Sequence, residues 1–497
     1  MSLAGIVSAL QLTPVPAFAE EPQLIPPVEL REDLALVRRA LEESQVGLDW
    51  YLSRQEYGRQ MEAVDQKLDK PMAARDFYRL ILPVIAALGH GHTLIERPAF
   101  GSGFYLRRLA PSQTYLPAET RIIDNRLFVL SDLSDSLSLP AGSEIVALNG
   151  EPFESLYPRL LSLLSTEGDN RTFRNHQLGR GWRMLDLLDL EQGPRSRFDI
   201  ILRLTDGSTR HITIDGATPA QLADRFTDRR GRPIDTFRPA VSLSMKDANT
   251  GILTISSFWE GLLPKEQPSF EAAFVAAFEA LAAQGATRLI IDVRGNEGGN
   301  GAIASLLRSY LTTKPFVRGG RGFVAQPSLS TFGYAIAPSD EVRAFAADPA
   351  TFVELAPDGI WRLKPEFEGE ATATVESKAN AFTGSVAILI DGGAFSTANT
   401  FIDLMRCEKA AGRDVRFFGV ANAQSDRSPL VSGGQSLEIE LPHSKLKLAI
   451  PILGSDRPGS PDCRKTPVPD VEVVPSINDL IIGHDPVMEA AVQNLDL

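Results

Sequence analysis

Apolar positions recur at helical spacing through residues 28–98. Leu34, Val37 and Leu41 form one stripe, and Met61, Val64 and Leu68 a second. Phe77, Leu80, Ile81, Val84, Ile85 and Leu88 form a third, at i, i+3, i+4, i+7, i+8 and i+11. Pro71 suits a first helical turn, Pro83 predicts a bend, and Gly89 stops the third helix just before His90-Gly91-His92-Thr93. The pattern then changes period. Arg121–Leu130 and Phe198–Ile214 read as β-structure, the second folded about an Asp206-Gly207 turn. Between them lie AGSEIVALNGEPF (141–153) and a helix around Glu154–Leu164. Residues 218–240, with Arg225, Arg229, Arg230, Arg232 and Pro233, read as a polar linker. Beyond them strands and helices alternate, which predicts an α/β layer fold. Its strands are Gly251–Ser257, Arg288–Val293 and Ser385–Ile390, and its helices cover Ser269–Ala283, a stretch from Ala302, and one running through Met405.

Length and charge narrow the class. A chain of 497 residues predicts two to four domains. The 50 Lys and Arg against 63 Asp and Glu leave a net charge of −13, with no basic tract to serve as a nucleic-acid footprint. No apolar run reaches the roughly 20 residues of a membrane span. Residues 4–12 are apolar, and Ala17-Phe18-Ala19 reads as a signal-peptidase site, although a basic leader is missing. Export is the expectation, which makes the protein extracytoplasmic, either periplasmic or secreted; a frayed N-terminal arm is the alternative. The two cysteines, Cys407 and Cys463, are too few for a disulfide framework or a thiolate zinc site, and both a single bridge and two buried thiols stay open.

Two strand–turn–helix junctions hold the candidate chemistry. In RLIIDVRGNEGGNG (288–301), glycines permit backbone conformations whose amides can hold an anion ahead of a helix. No GK[ST] follows, so a nucleotide P-loop is not expected. In SVAILIDGGAFSTANTF (385–401), an apolar strand meets a turn and Ser396 stands at the mouth of the next helix. That placement exposes a hydroxyl and puts the Thr397 N–H where charge develops on an attacked carbonyl. By itself, this segment favours Ser396 as a helix cap.

Together these segments resemble the tail-specific, or C-terminal processing, serine peptidases. IIDVRGNEGG (290–299) is similar to one family stretch and IDGGAFSTA (390–398) to another. FYRLILPVIAALGHGHT (77–93) resembles the lead-in of the branch with a histidine element, and AGSEIVALNGEPF its PDZ-like insert. GILTISSF (251–258) and TPVPDVEVVPSINDLIIGHDPVMEAA (466–491) resemble the opening and closing of its core. The resemblance implies a ClpP/crotonase-like α/β core at 241–497. A helical region at 20–118, a PDZ-like α+β module at 119–217 and the linker at 218–240 would precede it, after a leader at 1–19.

The resemblance also implies roles. Ser396 is the nucleophile, and the Gly298 and Thr397 amides are the oxyanion donors. One branch of the family uses a downstream lysine as base; its place in FFGVANAQS (417–425) falls at Ala421, and no lysine lies between Lys409 and Lys445. The other branch uses a histidine, matched by His92, and a neutral imidazole suits a general base. The orienting carboxylate falls near PDCRKTPVPD (461–470): Cys463 stands at its place, with Asp462 one position away and Asp456 in reserve. His90, Glu297 and Asn399 depart from the usual Asp, Gly and Glu. The implied activity is peptide-bond hydrolysis through an acyl-enzyme, without cofactor or metal, on a polypeptide substrate. A non-catalytic relative that binds peptide or apolar ligands is the alternative. Neither substrate preference nor oligomeric state can be read from the chain.

Overall fold

A computed structural model describes residues 23–98, 108–179, 182–234, 237–369, 371–423, 430–431, 433–457, 463 and 468–495. The expected leader at 1–19 lies outside them. Helices α1 (Pro27–Ser44), α2 (Arg54–Asp65) and α3 (Ala74–Ala87) bury the three apolar stripes in one core. Gly89, at φ 69°, ends α3 and releases the chain into the histidine loop. The next strand, Leu94–Glu96, pairs with Lys447–Pro451 and so carries that loop back onto the C-terminal half.

Residues 118–215 form an antiparallel sheet in the order β1 (Ala118–Ile123), β2 (Arg126–Asp132), β3 (Glu144–Leu148), β4 (Arg197–Arg203), β5 (Thr209–Asp215). The β-structure expected at 121–130 is a hairpin, turned where Asp124 and Asn125 both take positive φ, 48° and 63°. Helices α4 (Phe153–Leu161), α5 (Arg171–Gly179) and α6 (Arg183–Gln192) lie between β3 and β4.

The segment expected as a linker contains a helix, α7 (Pro219–Arg230). Thr218 and Gln221 make a capping box, Pro219 opens the first turn, and Gly231 closes the helix at φ 66°. Leu222 and Phe226 are buried, while Arg225 donates to the Leu133 carbonyl and Arg230 pairs with Glu119. This helix is docked rather than spanning open solvent. Its two apolar anchors were outweighed in the sequence by the arginines around them.

The C-terminal half is built on one sheet ordered β6 (Val241–Asp247), β7 (Thr250–Ile255), β8 (Arg288–Asp292), β9 (Ser385–Ile390), β10 (Val415–Gly419), β11 (Val471–Glu472). The β6–β7 pair is antiparallel and the remaining pairs are parallel. Alternate residues of the parallel strands enter different cores, as buried parallel strands require. Leu289, Ile291, Ile388 and Ile390 pack with α8 (Phe270–Ala283), α9 (Gly301–Ser309) and α10 (Thr397–Ala410). Ile290, Ala387 and Leu389 pack with Val487 and Ala491 of α11 (Pro486–Leu495). Cys407, near the end of α10, is disulfide-bonded to Cys463. Asp292 of β8 pairs with Leu389 of β9. The two candidate turns therefore leave adjacent parallel strands at the same carboxyl edge, where α/β sheets open their clefts.

Candidate active site

Ser396 is the N-cap of α10, yet its side chain makes no capping bond. The residue sits at φ 55° and ψ −119°, a strained region for a side chain that L-residues enter only when the surrounding fold holds them there. Asp391 ties the two turns together, since its Oδ1 accepts the N–H groups of Gly295 (2.8 Å) and Gly393 (2.9 Å). A Cβ on Gly393 would lie 2.2 Å from the His176 ring, so this turn and α5 require close approach there. His176, which the sequence left without a role, is packed against the nucleophile turn.

The structure brings His92 and Ser396 together: Nε2 lies 3.0 Å from Oγ. The His92 ring stacks on Phe395, and Phe395 on Phe173 of α5, with centroids 4.5 and 4.6 Å apart. His90 faces elsewhere. It is fully buried between Trp50 and Tyr51, and its Nε2 contacts the Gly47 carbonyl at 2.8 Å. Burial is the largest influence on this imidazole and pushes it below its ordinary range, against the opposing pull of Glu167. The two imidazoles therefore do not converge, and among the described residues no cluster of three metal-ligating side chains occurs.

Thr397 holds its hydroxyl on the Gly299 carbonyl at 2.6 Å, and its N–H, at the first position of α10, is among those a helix leaves without an internal acceptor. Gly298 differs from expectation. Its N–H donates to Asn296 Oδ1 at 2.8 Å, inside a turn whose Asn296 is fully buried and anchored to the Ile255 carbonyl. A polar loop buried against β7 satisfies its own amides first, so in this conformation the expected second donor is engaged.

Asp462 lies outside the described residues. Asp456 accepts from Arg362 at 2.9 Å. A carboxylate does stand beside the His92 ring: Glu167, from the loop between α4 and α5. Its Oε1 lies 3.7 Å from His92 Nδ1 and accepts the Gly91 N–H at 3.2 Å. Burial would raise this carboxyl, but the neighbouring His92 and His90 rings and the Gly91 amide outweigh it and hold the group below the usual carboxylate range. No sequence motif marked it: STEGDN (165–170) is an ordinary polar loop.

The remaining departures find plain places. Glu297 is exposed. Asn399 is buried and accepts from Asn422 at 2.6 Å. The Ala421 carbonyl accepts the Thr172 hydroxyl at 2.8 Å. Among the described residues no helix is long and apolar enough to cross a membrane.

Residues 249–413, which hold both turns, match Peptidase family S41. The chain thus carries a serine-type peptidase domain. No curated protein matches it in sequence. Among solved structures, mature CPAF is 15% identical, with a TM-score of 0.59 over 95% of this chain and 96% of that one. Mature CPAF complexed with lactacystin is 14% identical, with a TM-score of 0.60 over 94% and 98%. The photosystem II D1 C-terminal processing protease is a looser likeness, 14% identical with a TM-score of 0.41 over 91% and 96%. At these identities the CPAF likeness speaks to the fold.

Proposed function

We propose that this chain is a serine endopeptidase in which Ser396 attacks a peptide carbonyl and His92 is the general base. The observation that carries the reading is the 3.0 Å contact between His92 Nε2 and Ser396 Oγ. A serine hydroxyl is a poor nucleophile until a base takes its proton, and this separation lies within the range for that transfer. The strained backbone of Ser396 turns Oγ away from its helix and toward the imidazole, which supports a nucleophile over a cap.

In the forward step Oγ adds to the carbonyl carbon as His92 Nε2 takes its proton. The Thr397 N–H faces the charge that develops on oxygen. Gly298 becomes a second donor by exchanging its Asn296 contact for the substrate carbonyl. His92 then protonates the leaving amine. Water, deprotonated by the same imidazole, releases the acyl group and restores the serine.

We further read 119–217 as a PDZ-like module on a ClpP/crotonase-like core. Its antiparallel sheet suits capture of a peptide as an added strand. Extracytoplasmic placement is part of the same reading, and the Cys407–Cys463 bond favours an oxidising compartment.

A fluorophosphonate probe tests the core of this reading. Labelling should occur on Ser396, vanish in Ser396→Ala and fall sharply in His92→Ala. An unlabelled wild-type protein would favour a non-catalytic binder.

A further inference from the structure

Resting on the Ser396–His92 reading, we propose that Glu167 is the positioning carboxylate of this peptidase, acting through His92 Nδ1 in place of an acid from the C-terminal segment. For Nε2 to accept the serine proton it must be unprotonated, so the neutral ring carries its hydrogen on Nδ1. That Nδ1 is buried and has no hydrogen-bond partner among the described residues. The carboxylate that faces it is Glu167, with only 12% of its side chain exposed. At 3.7 Å the contact is longer than a hydrogen bond; a shift of under about 1 Å as imidazolium forms brings it to charge-assisted length.

The loop bearing Glu167 is built for registration. Gly168 donates its N–H to the Gly89 carbonyl (2.8 Å), Glu167 Oε1 takes the Gly91 N–H (3.2 Å), and Ser165 donates its hydroxyl to the Thr93 carbonyl (3.0 Å). Three contacts at alternate positions lay one loop along the histidine element and fix where the carboxylate meets the ring. The other titratable group facing Glu167 is His90, whose imidazole burial pushes below its ordinary range and whose Nε2 is taken by the Gly47 carbonyl at 2.8 Å.

The segment resembling the family's acid-bearing stretch cannot supply one at its own position. Cys463 stands there, and its sulfur is bonded to Cys407. The role has passed to a loop of the inserted region.

The test compares Glu167→Gln, Glu167→Asp and Asp462→Asn in the full chain, with kcat, KM and pH profiles on a peptide substrate. Glutamine keeps an acceptor for Gly91 while removing the charge. Expected are a fall of roughly 10²–10⁴-fold in kcat with little change in KM, and an acid limb of kcat/KM displaced to lower pH. Glu167→Asp should recover part of the loss, and Asp462→Asn should resemble wild type. In a His92→Ala background, Glu167→Gln should cost nothing further, which separates a role through His92 from a fault in folding. A Glu167→Gln enzyme with wild-type kcat and profile, or the full effect appearing in Asp462→Asn, overturns the assignment. Should His92→Ala itself remain active, it is the base reading that falls.

Discussion

His92 and Phe395 lie ring on ring, with centroids 4.5 Å apart and planes 27° from parallel. Phe395, just before Ser396, thus shelves the His92 ring, so one strained turn sets the position of both side chains. Stacked aromatic pairs contribute about 0.5–1.5 kcal/mol beyond area burial. Phe395→Leu should lower kcat/KM roughly 2- to 10-fold while Ser396 still reacts with fluorophosphonate. Unchanged kinetics would show that the stack does not position the imidazole.

Gly433 also lies against the His92 ring. A Cβ there would stand 2.4 Å from His92 Cδ2 and 3.1 Å from Nε2. Gly433 is exposed, so Gly433→Ala should cut kcat more than about 10-fold yet leave stability within ~0.5 kcal/mol. Full activity in this variant would mean that the loop yields and the ring stays in place.

The proposed mechanism gives lysine no part as the base. Lys409 is paired with Asp470, and Lys445 lies 3.8 Å from Glu440 on the surface. Lys409→Ala and Lys445→Ala should keep most peptidase activity, in contrast to His92→Ala. A dead Lys409→Ala enzyme that remains folded by circular dichroism would reopen the lysine mechanism.

Arg294 pins the Gly-rich turn to α11. Its guanidinium donates to both oxygens of Asp485 (2.8 and 2.7 Å) and to Asp292. Burial pushes the Asp485 carboxyl up, but Arg294 outweighs it and holds the group below its usual range. A carboxylate depressed in the folded state stabilises the fold above its unfolded pKa of ~4, and the contribution disappears as pH falls through the lower, folded value. Asp485→Asn should therefore cost about 1–2 kcal/mol at neutral pH, discounted for partial exposure, and less in acid. Urea titrations at pH 7 and pH 3 check this: an equal loss at both would remove the ion pair as its cause.

The Cys407–Cys463 bond spans 56 positions. Closing a loop of that length stabilises by roughly 4 kcal/mol in the chain-entropy picture, less any residual unfolded-state structure. Reduction, or Cys407→Ser with Cys463→Ser, should lower the melting temperature. An unchanged melting temperature would show that the bond adds nothing.

The elements most legible in the sequence are those whose chemistry is local. Arg288–Asp292 and Ser385–Ile390 announce themselves as buried strands by unbroken apolar runs ending in glycine turns, and the α3 stripe with its Gly89 stop locates His92. Glu167 was illegible because nothing within its loop singles it out; three contacts to a loop far away in the chain make it special. The Gly298 amide's bond to Asn296 was illegible for a related reason, since only the anchoring of Asn296 on the Ile255 carbonyl sets that acceptor in place. Helix α7 was missed because two apolar residues among arginines carry less pattern than a capping box carries structure.

Ser396, His92 and Glu167 come from three separate stretches of chain, joined by the pairing of Leu94–Glu96 with Lys447–Pro451. On the proposed reading, a chain that has passed Glu167 but not Ser396 holds a base without a nucleophile, and one that stops short of Lys447 lacks the strand that pairs beside the histidine loop. Hydrolysis would thus report that the histidine loop has docked on the C-terminal half.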